Sequence, residues 1–389
     1  MSEDPRCTIV FVSDCHYGVP SRDVDEMADA FRKTIFPLLD TANVLFINGD
    51  FFDRLVEFDR HIFDPIYALV LELFQICEQK RLALRVMQGT FDHDRNQLKR
   101  FDAFYQGGKF TFDYQFHFHI SVDTVPYPGG VLKIGYIPDN TPYLTAEENV
   151  AVLREKMAER GWDTLDYGCV HGFFEFTFPQ NIKQGSQIVY KTRQFDFVEK
   201  MVDAGHVHQY RVCDHVVSNG SFDRAVFGDE DARGCILVKD YPSKYVAQFV
   251  VNQYAGLLDT LTIANDAKTD AIVKQIDSHV ASRQPYVSLG LRFVVERSDQ
   301  YDAISTYMKQ AYPEIKIARK KLDGKEDSQI FTIPSDLVTE EMSERIAPTP
   351  QNIVQLILDH IAPEHRPSEH AIYTHLDLAP PESVTAVSG

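Results

Sequence analysis

No stretch of this sequence is apolar for the ~20 consecutive residues a membrane-crossing helix needs, so no membrane partner is expected. The first residues, Met1-Ser2-Glu3-Asp4-Pro5, carry neither a basic flank nor an apolar core, and no secretory signal is expected there. Cysteines are few, six in 389 residues, and none forms a Cys-x-x-Cys pair. Without an export signal they read as reduced core residues rather than a disulfide framework. Cations are in short supply too: 39 Lys and Arg against 57 Asp and Glu give a net charge of −18. That balance argues against non-specific affinity for a phosphate backbone. A local basic surface or a bound pair of cations can still handle an anionic substrate. No internal repeat is visible.

Hydrophobic content of 44% and charged content of 25% belong to a globular chain, long enough for one large domain and one or two smaller ones. Three short apolar runs, 8–13, 44–48 and 82–88, have strand length and each stops at a polar motif. Between them, Met27, Phe31, Ile35 and Leu38, then Ile62, Ile66, Leu69, Leu73 and Ile76, recur at helical spacing within 23–40 and 59–80. Strand, motif and helix in alternation predict an α/β fold with the motifs at the C-terminal ends of strands. Aromatics alternate through 110–122, and further strands are expected at 131–137, 166–171, 212–218 and 234–239. The character changes near residue 255. A strand at 287–295, a helix at 299–312 and a strand at 314–319 predict a small α+β unit. Residues 335–362 have a helical pattern, interrupted by Pro348 and Pro350, with an apolar stripe of Ile353, Leu356, Ile357 and Ile361. The expected domains are therefore 1–255, 256–332 and 333–389.

The motifs that end these runs carry metal-binding side chains. They are Asp14-Cys15-His16, Gly49-Asp50-Phe51-Phe52-Asp53, Gly89-Thr90-Phe91-Asp92-His93-Asp94, Val170-His171-Gly172 and Gly205-His206-Val207-His208. Any one of them is common in turns and caps; five in series are not. Side chains at i and i+2 of extended backbone share a side, so Asp14 and His16 can reach one ion, and His206 and His208 repeat the spacing. Gly49 lets the chain turn before Asp50, whose two oxygens can bridge two cations. Mixed Asp and His donors suit divalent ions such as Mn²⁺, Fe²⁺ or Zn²⁺. Two such ions about 4 Å apart can activate a water and clamp phosphate oxygens. His117 and His119 have similar spacing but lie in an aromatic alternating run without a glycine turn, and read as sheet residues.

This series resembles the calcineurin-like metallophosphoesterase superfamily over roughly residues 8–240. The resemblance implies a β-sandwich flanked by helices, with Asp14, His16, Asp50 and His208 holding one metal. Asp50, His171, His206 and a residue of the third motif would hold the other. It implies Mn²⁺ as the foremost ion, with Mg²⁺, Fe²⁺ or Zn²⁺ as alternatives. His93 would orient or protonate the scissile phosphate with Asp94 as its carboxylate partner, and Asp53 and Asp94 would orient ligands from behind. The family's third motif usually reads Gly-Asn-His-Asp; here it is longer by two residues, with Asp92 standing for the asparagine. Either Asp92 ligates and adds negative charge, or it turns away and leaves the second site weaker.

After the last motif, Ser218-Asn219-Gly220-Ser221-Phe222-Asp223-Arg224 is similar to the corresponding segment of SbcD-type double-strand-break repair nucleases, including phage versions. The order of catalytic domain, small cap and helical tail is similar too. This implies a DNA nuclease, exonuclease or endonuclease, acting in the cytoplasm in DNA repair or recombination with an SbcC-type coiled-coil ATPase bound through 335–362. Homodimers are common in that family. Lys316, Arg319, Lys320 and Lys321 form a basic cluster in the expected cap, either a set of phosphate contacts or a solvated strand edge. Arg54 is a further phosphate contact or a surface ion pair. A phosphatase or small-molecule phosphodiesterase, and a non-catalytic scaffold of the same fold, are the alternative functions.

Overall fold

The structure, a computed structural model, describes residues 4–56, 59–139, 141–143, 145–178, 187–227, 231–283 and 288–320. The chain divides into two units, Met1–Ser328 and Gln329–Gly389, and the described residues all belong to the first. Lys321 and the 335–362 segment lie outside the described residues.

The first half alternates strand and helix: β1 (Cys7–Val12), α1 (Val24–Thr34), β2 (Val44–Asn48), α2 (Arg60–Lys80), β3 (Ala83–Met87), the single turn α3 (Phe91–Asp94), α4 (Lys99–Gly107) and β4 (Tyr114–His117). Then come β5 (Ser121–Tyr127), β6 (Gly130–Ile137), α5 (Ala146–Glu159), β7 (Leu165–His171) and the short pair β8 (Phe173–Phe174) and β9 (Val189–Tyr190). They are followed by β10 (Val198–Gly205), β11 (Arg211–Cys213), β12 (Val216–Ser218), β13 (Gly234–Asp240) and β14 (Tyr245–Val251). One six-stranded sheet has the order β14-β13-β1-β2-β3-β4, the other β11-β12-β10-β7-β6-β5. β1 to β4 run parallel, as do β6, β7, β10 and β12, while β13, β14, β5 and β11 join antiparallel.

Strand β1 explains the layering. All six of its residues are buried, because both faces of the sheet are covered. Cys7, Ile9 and Phe11 point into a core shared with Tyr136, Tyr167, Cys169 and Met201 of the second sheet. Val10 and Val12 point the other way, against Met27 and Phe31 of α1 and Leu69 and Leu73 of α2. On the far side of the second sheet, Leu153 and Met157 of α5 pack on Val198 and Val202. The result is a β-sandwich with helices outside, a mixed α/β fold as expected. Two strands were expected to be one: Asp214, in the left-handed region, splits 212–218 into the antiparallel pair β11 and β12. Helix α5 and strands β10 and β14 answer to no expected element.

The small unit is β15 (Leu257–Thr262), α6 (Thr269–Ala281), β16 (Leu289–Val294), α7 (Ser298–Ala311) and β17 (Lys316–Lys320). Its three strands are all parallel. Parallel neighbours require crossover connections, and α6 and α7 supply them, so this α+β unit is a β-α-β-α-β repeat around Ile276, Leu291, Phe293 and Ile304.

One buried ion network ties the two sheets together. Arg85, 1% exposed, donates from Nε to Asp123 Oδ2 at 2.5 Å and from a terminal nitrogen to Asp113 Oδ2 at 2.8 Å. Removing the cation leaves buried carboxylate charge, at a typical cost of ~3–5 kcal/mol. Arg85→Met is therefore expected to lower the urea unfolding midpoint sharply, and adding Asp123→Val is expected to recover much of that loss.

Candidate metal centre

Each strand that stops short leaves a ligand at its C-terminal end. Asp14 lies two residues beyond β1, Asp50 two beyond β2, His171 closes β7 and His206 follows β10. Their backbone is unusual. Asp14, His16, Asp50 and His206 all have positive φ (51°, 51°, 48° and 90°), a region that costs a non-glycine residue of order 1–3 kcal/mol. Gly49 shares that conformation at φ 83°, and a Cβ there would lie 2.2 Å from His171 Nδ1. A Cβ on Gly205 would lie 2.6 Å from the Asn48 carbonyl oxygen. Only bare backbone lets the motifs of the two sheets close on each other.

The donors form a continuous chain of three groups: Asp14, His16 and His208; His16, Asp50 and His93; and Asp50, His171 and His206. His16 Nε2 and His208 Nε2 are 2.9 Å apart, with Asp14 Oδ1 at 3.9 and 4.0 Å from them. His171 Nε2 lies 3.2 Å from Asp50 Oδ2. The sequence-expected ligands Asp14, His16, Asp50, His171, His206 and His208 are thus brought together, with Asp50 shared between groups.

These residues fit divalent cations for a specific reason. His171 Nδ1 donates to the Asn48 carbonyl at 2.9 Å, which fixes the proton on that nitrogen in the neutral ring. The fully buried Nε2 then aims a lone pair at a carboxylate oxygen and has no hydrogen-bond partner. Two facing acceptors need a positive charge between them, from a proton or a metal. The electrostatics agree. Burial opposes charge on Asp50, yet His171, His16 and His93 hold its carboxyl well below the usual range. Burial pushes the His171 imidazole down, but Asp50 raises it above the ordinary histidine value. Burial and the neighbouring His171 lower His206.

The third motif departs from expectation. Asp92 is exposed and stands apart from these donor groups, so the structure does not support it as a ligand. Thr90 is the residue of this motif that faces Asp50 and His206. Its amide donates to Asp50 Oδ1 at 2.6 Å, and its hydroxyl lies 3.2 Å from Asp50 Oδ2 and 3.3 Å from His206 Nδ1. The motif folds as the helical turn α3, so Thr90, His93 and Asp94 (i, i+3, i+4) share one side while Asp92 at i+2 faces away. Counting forward from Gly89, rather than back from His93, would have found Thr90.

Asp94 is corrected as well. It is not the partner of His93, whose Nδ1 donates to the Asp53 carbonyl at 2.5 Å. Asp94 is fully buried and accepts from the amides of Asp50, Phe52 and Gly89 at 3.0, 3.0 and 2.8 Å. Burial and the Asp50 charge raise its pKa. Asp53 Oδ1 lies 3.5 Å from His16 Nδ1, which has no hydrogen-bond partner among the described residues.

The segment after the last motif braces the centre. Phe222 N lies 3.2 Å from the Asp14 carbonyl, Ser13 Oγ donates to Gly220 O at 3.2 Å, and Arg233 donates to the His208 carbonyl. Asp223 pairs with buried Arg22 at 3.1 Å. The described members of the basic cluster do not all share one face, because strand side chains alternate. Lys316 donates to the Pro20 carbonyl at 3.1 Å. Arg319, on the opposite face, lies over Tyr301 and donates to Ser298 Oγ and Glu296 O at 3.2 Å each. Lys320 ends the strand half-buried, and Arg54 is exposed. His117 is a buried strand residue stacked on Tyr136.

No protein-family model and no curated protein matches this chain. Among solved structures, TT1561 of Thermus thermophilus matches at 10% identity and a TM-score of 0.32, over 63% of this chain and 99% of its own. A second crystal structure matches at 8% identity and a TM-score of 0.36, over the same shares. Similarity of this degree carries no argument about function.

The donor geometry separates Asp92 from the ligands. Asp92→Asn is expected to leave bound metal per chain unchanged, whereas His171→Ala is expected to lower it, as read by elemental analysis of protein purified without chelator.

Proposed function

We propose that the chain is a metal-dependent phosphodiesterase of the calcineurin-like type, acting on DNA as SbcD-type nucleases do. The observation that carries this reading is the Asp50 carboxylate, shared between donor groups on both sides with the His93 ring beside it. A dinuclear cation pair, with Mn²⁺ foremost, would supply an activated water and neutralise phosphate charge in an in-line displacement. Asp14, His16 and His208 hold one end of the site, and His171 and His206 the other. Asp50 sets their separation. His93 keeps its Nδ1 proton on the Asp53 carbonyl, which leaves Nε2 to meet the phosphate or carry a proton to the leaving oxygen. The preference for DNA rests on the sequence likeness after the last motif and on the succession of domains.

A phosphatase or small-ester phosphodiesterase is the competing reading, and a non-catalytic scaffold the third. Manganese-supported cleavage of linear duplex and single-stranded DNA, set beside hydrolysis of bis-p-nitrophenyl phosphate, separates them. Cleavage of DNA is expected, and hydrolysis of the small ester alone would overturn the nuclease reading. Asp50→Ala and His208→Ala are expected to abolish both activities. His93→Ala is expected to lower kcat by ~10²–10⁴-fold, the usual range for a proton-transfer group, with metal content retained.

The ATPase partner is proposed on the apolar stripe Ile353, Leu356, Ile357 and Ile361 alone. Deleting 335–389 is expected to abolish co-purification with a coiled-coil ATPase while sparing hydrolysis of the model ester. Undiminished co-purification would remove that assignment.

A further inference from the structure

The layer between the two sheets changes character where it reaches the donors. Val44 and Phe46 of β2 and Met201 of β10 belong to its apolar core. Two residues beyond Phe46 and Met201, on the same side of each strand, stand Asn48 and Asp203, both buried. Asn48 Nδ2 donates to Asp203 Oδ2 at 2.8 Å and to the Asp203 carbonyl at 3.0 Å. Both hydrogens of that amide thus go to one residue of the opposite sheet. Buried Asn219 adjoins them, its backbone amide donating to the Ala204 carbonyl at 2.9 Å. A carboxyl group is a poor choice for such a place. Burial pushes Asp203 up to about 7, against the Asn48 and Asn219 side chains that favour its charged form. An apolar pair of the same shape would serve the core as well or better.

What the pair touches gives it a use. The Asn48 carbonyl accepts the His171 Nδ1 proton at 2.9 Å. From Asn48 the chain passes through Gly49 to Asp50, whose Oδ2 lies 3.2 Å from His171 Nε2. On the facing strand Asp203 leads to Gly205, where a Cβ would lie 2.6 Å from the Asn48 carbonyl oxygen. We infer that Asn48 and Asp203 are positioning residues of the centre. Their bridge holds the Asn48 carbonyl against His171, and with it the sheet that delivers Asp14, His16 and Asp50 against the sheet that delivers His171, His206 and His208. The inference rests on the metal-centre reading. Neither residue stands in a donor group, so each acts through another. Hydrogen bonds are directional and apolar burial is not, so the bridge fixes the orientation of Asn48 as well as its depth. Removing a group that orients a ligand typically costs roughly 10–100-fold in metal affinity.

The test is a manganese(II) titration of chelator-stripped full-length protein, with free ion counted by electron paramagnetic resonance, beside thermal unfolding of the same samples. Asn48→Leu together with Asp203→Leu replaces the bridge by an apolar contact of similar size. Its melting temperature is expected to equal or exceed that of wild type, while manganese affinity falls about tenfold or more. Asp203→Asn keeps an oxygen for the Asn48 amide and is expected to bind manganese as wild type does. Asn48→Ala gives up both bonds without added bulk and is expected to show the same loss of affinity, so the loss is read there if the double variant does not fold. Wild-type affinity in the double variant, or in Asn48→Ala where the double variant does not fold, would overturn the inference. So would an Asp203→Asn protein that binds as weakly as the double variant. If wild type itself takes up no manganese, the metal-centre reading fails instead.

Discussion

The centre depends on one buried carboxylate that stands outside its donor groups. Asp94 receives the amides of Asp50, Phe52 and Gly89, and so fastens the second motif to the third. A carboxylate buried without partners would neutralise or destabilise the fold. Three amide donors keep it in place although burial and the nearby Asp50 charge push its pKa upward. Similar bonds fasten the remaining motifs. Asp14 accepts the His206 amide on both oxygens at 3.0 Å, joining the first motif to the fifth. Asn48 takes His171 Nδ1 on its carbonyl and donates its amide to Asp203 Oδ2 at 2.8 Å, joining one sheet to the other.

These bonds explain why the ligand backbones are tolerated. Four donor residues sit at positive φ, at a summed cost of several kcal/mol on the usual scale. An isolated loop would relax out of that conformation. Here the strands on either side are buried on both faces, and the cross-motif hydrogen bonds over-determine the turns between them. The donors are therefore held close by the backbone and its cross-motif bonds, with two imidazole nitrogens 2.9 Å apart. Such an array also attracts protons, which is why a cation and a proton compete for the place between His171 and Asp50.

Much of this was legible from the amino acids in order. The runs at 44–48 and 82–88 became β2 and β3 within a residue, and the stripe Ile62, Ile66, Leu69, Leu73 became the inner face of α2. Those patterns are local, set by which face of a strand or helix is dry. Strand β10, helix α5 and helix α6 escaped notice, because their apolar positions are interrupted or modest and their burial comes from partners distant in sequence. In the basic run, the alternation of β17 puts Lys316 and Arg319 on opposite faces, each with partners from a different part of the fold.

The sequence by itself determined the order of the donor-bearing motifs, the glycines within them, and the strands that deliver them, since strand length and turn chemistry are local properties. Only the tertiary structure decided which donors fall into one group and which residue of the third motif faces them. Two residues apart means the same side on extended backbone and opposite sides on a helical turn. At the turn Phe91–Asp94, the Asp94 carboxylate is drawn inward by the Asp50 and Phe52 amides of a different loop. That long-range bond turns Thr90 toward the centre and Asp92 toward water.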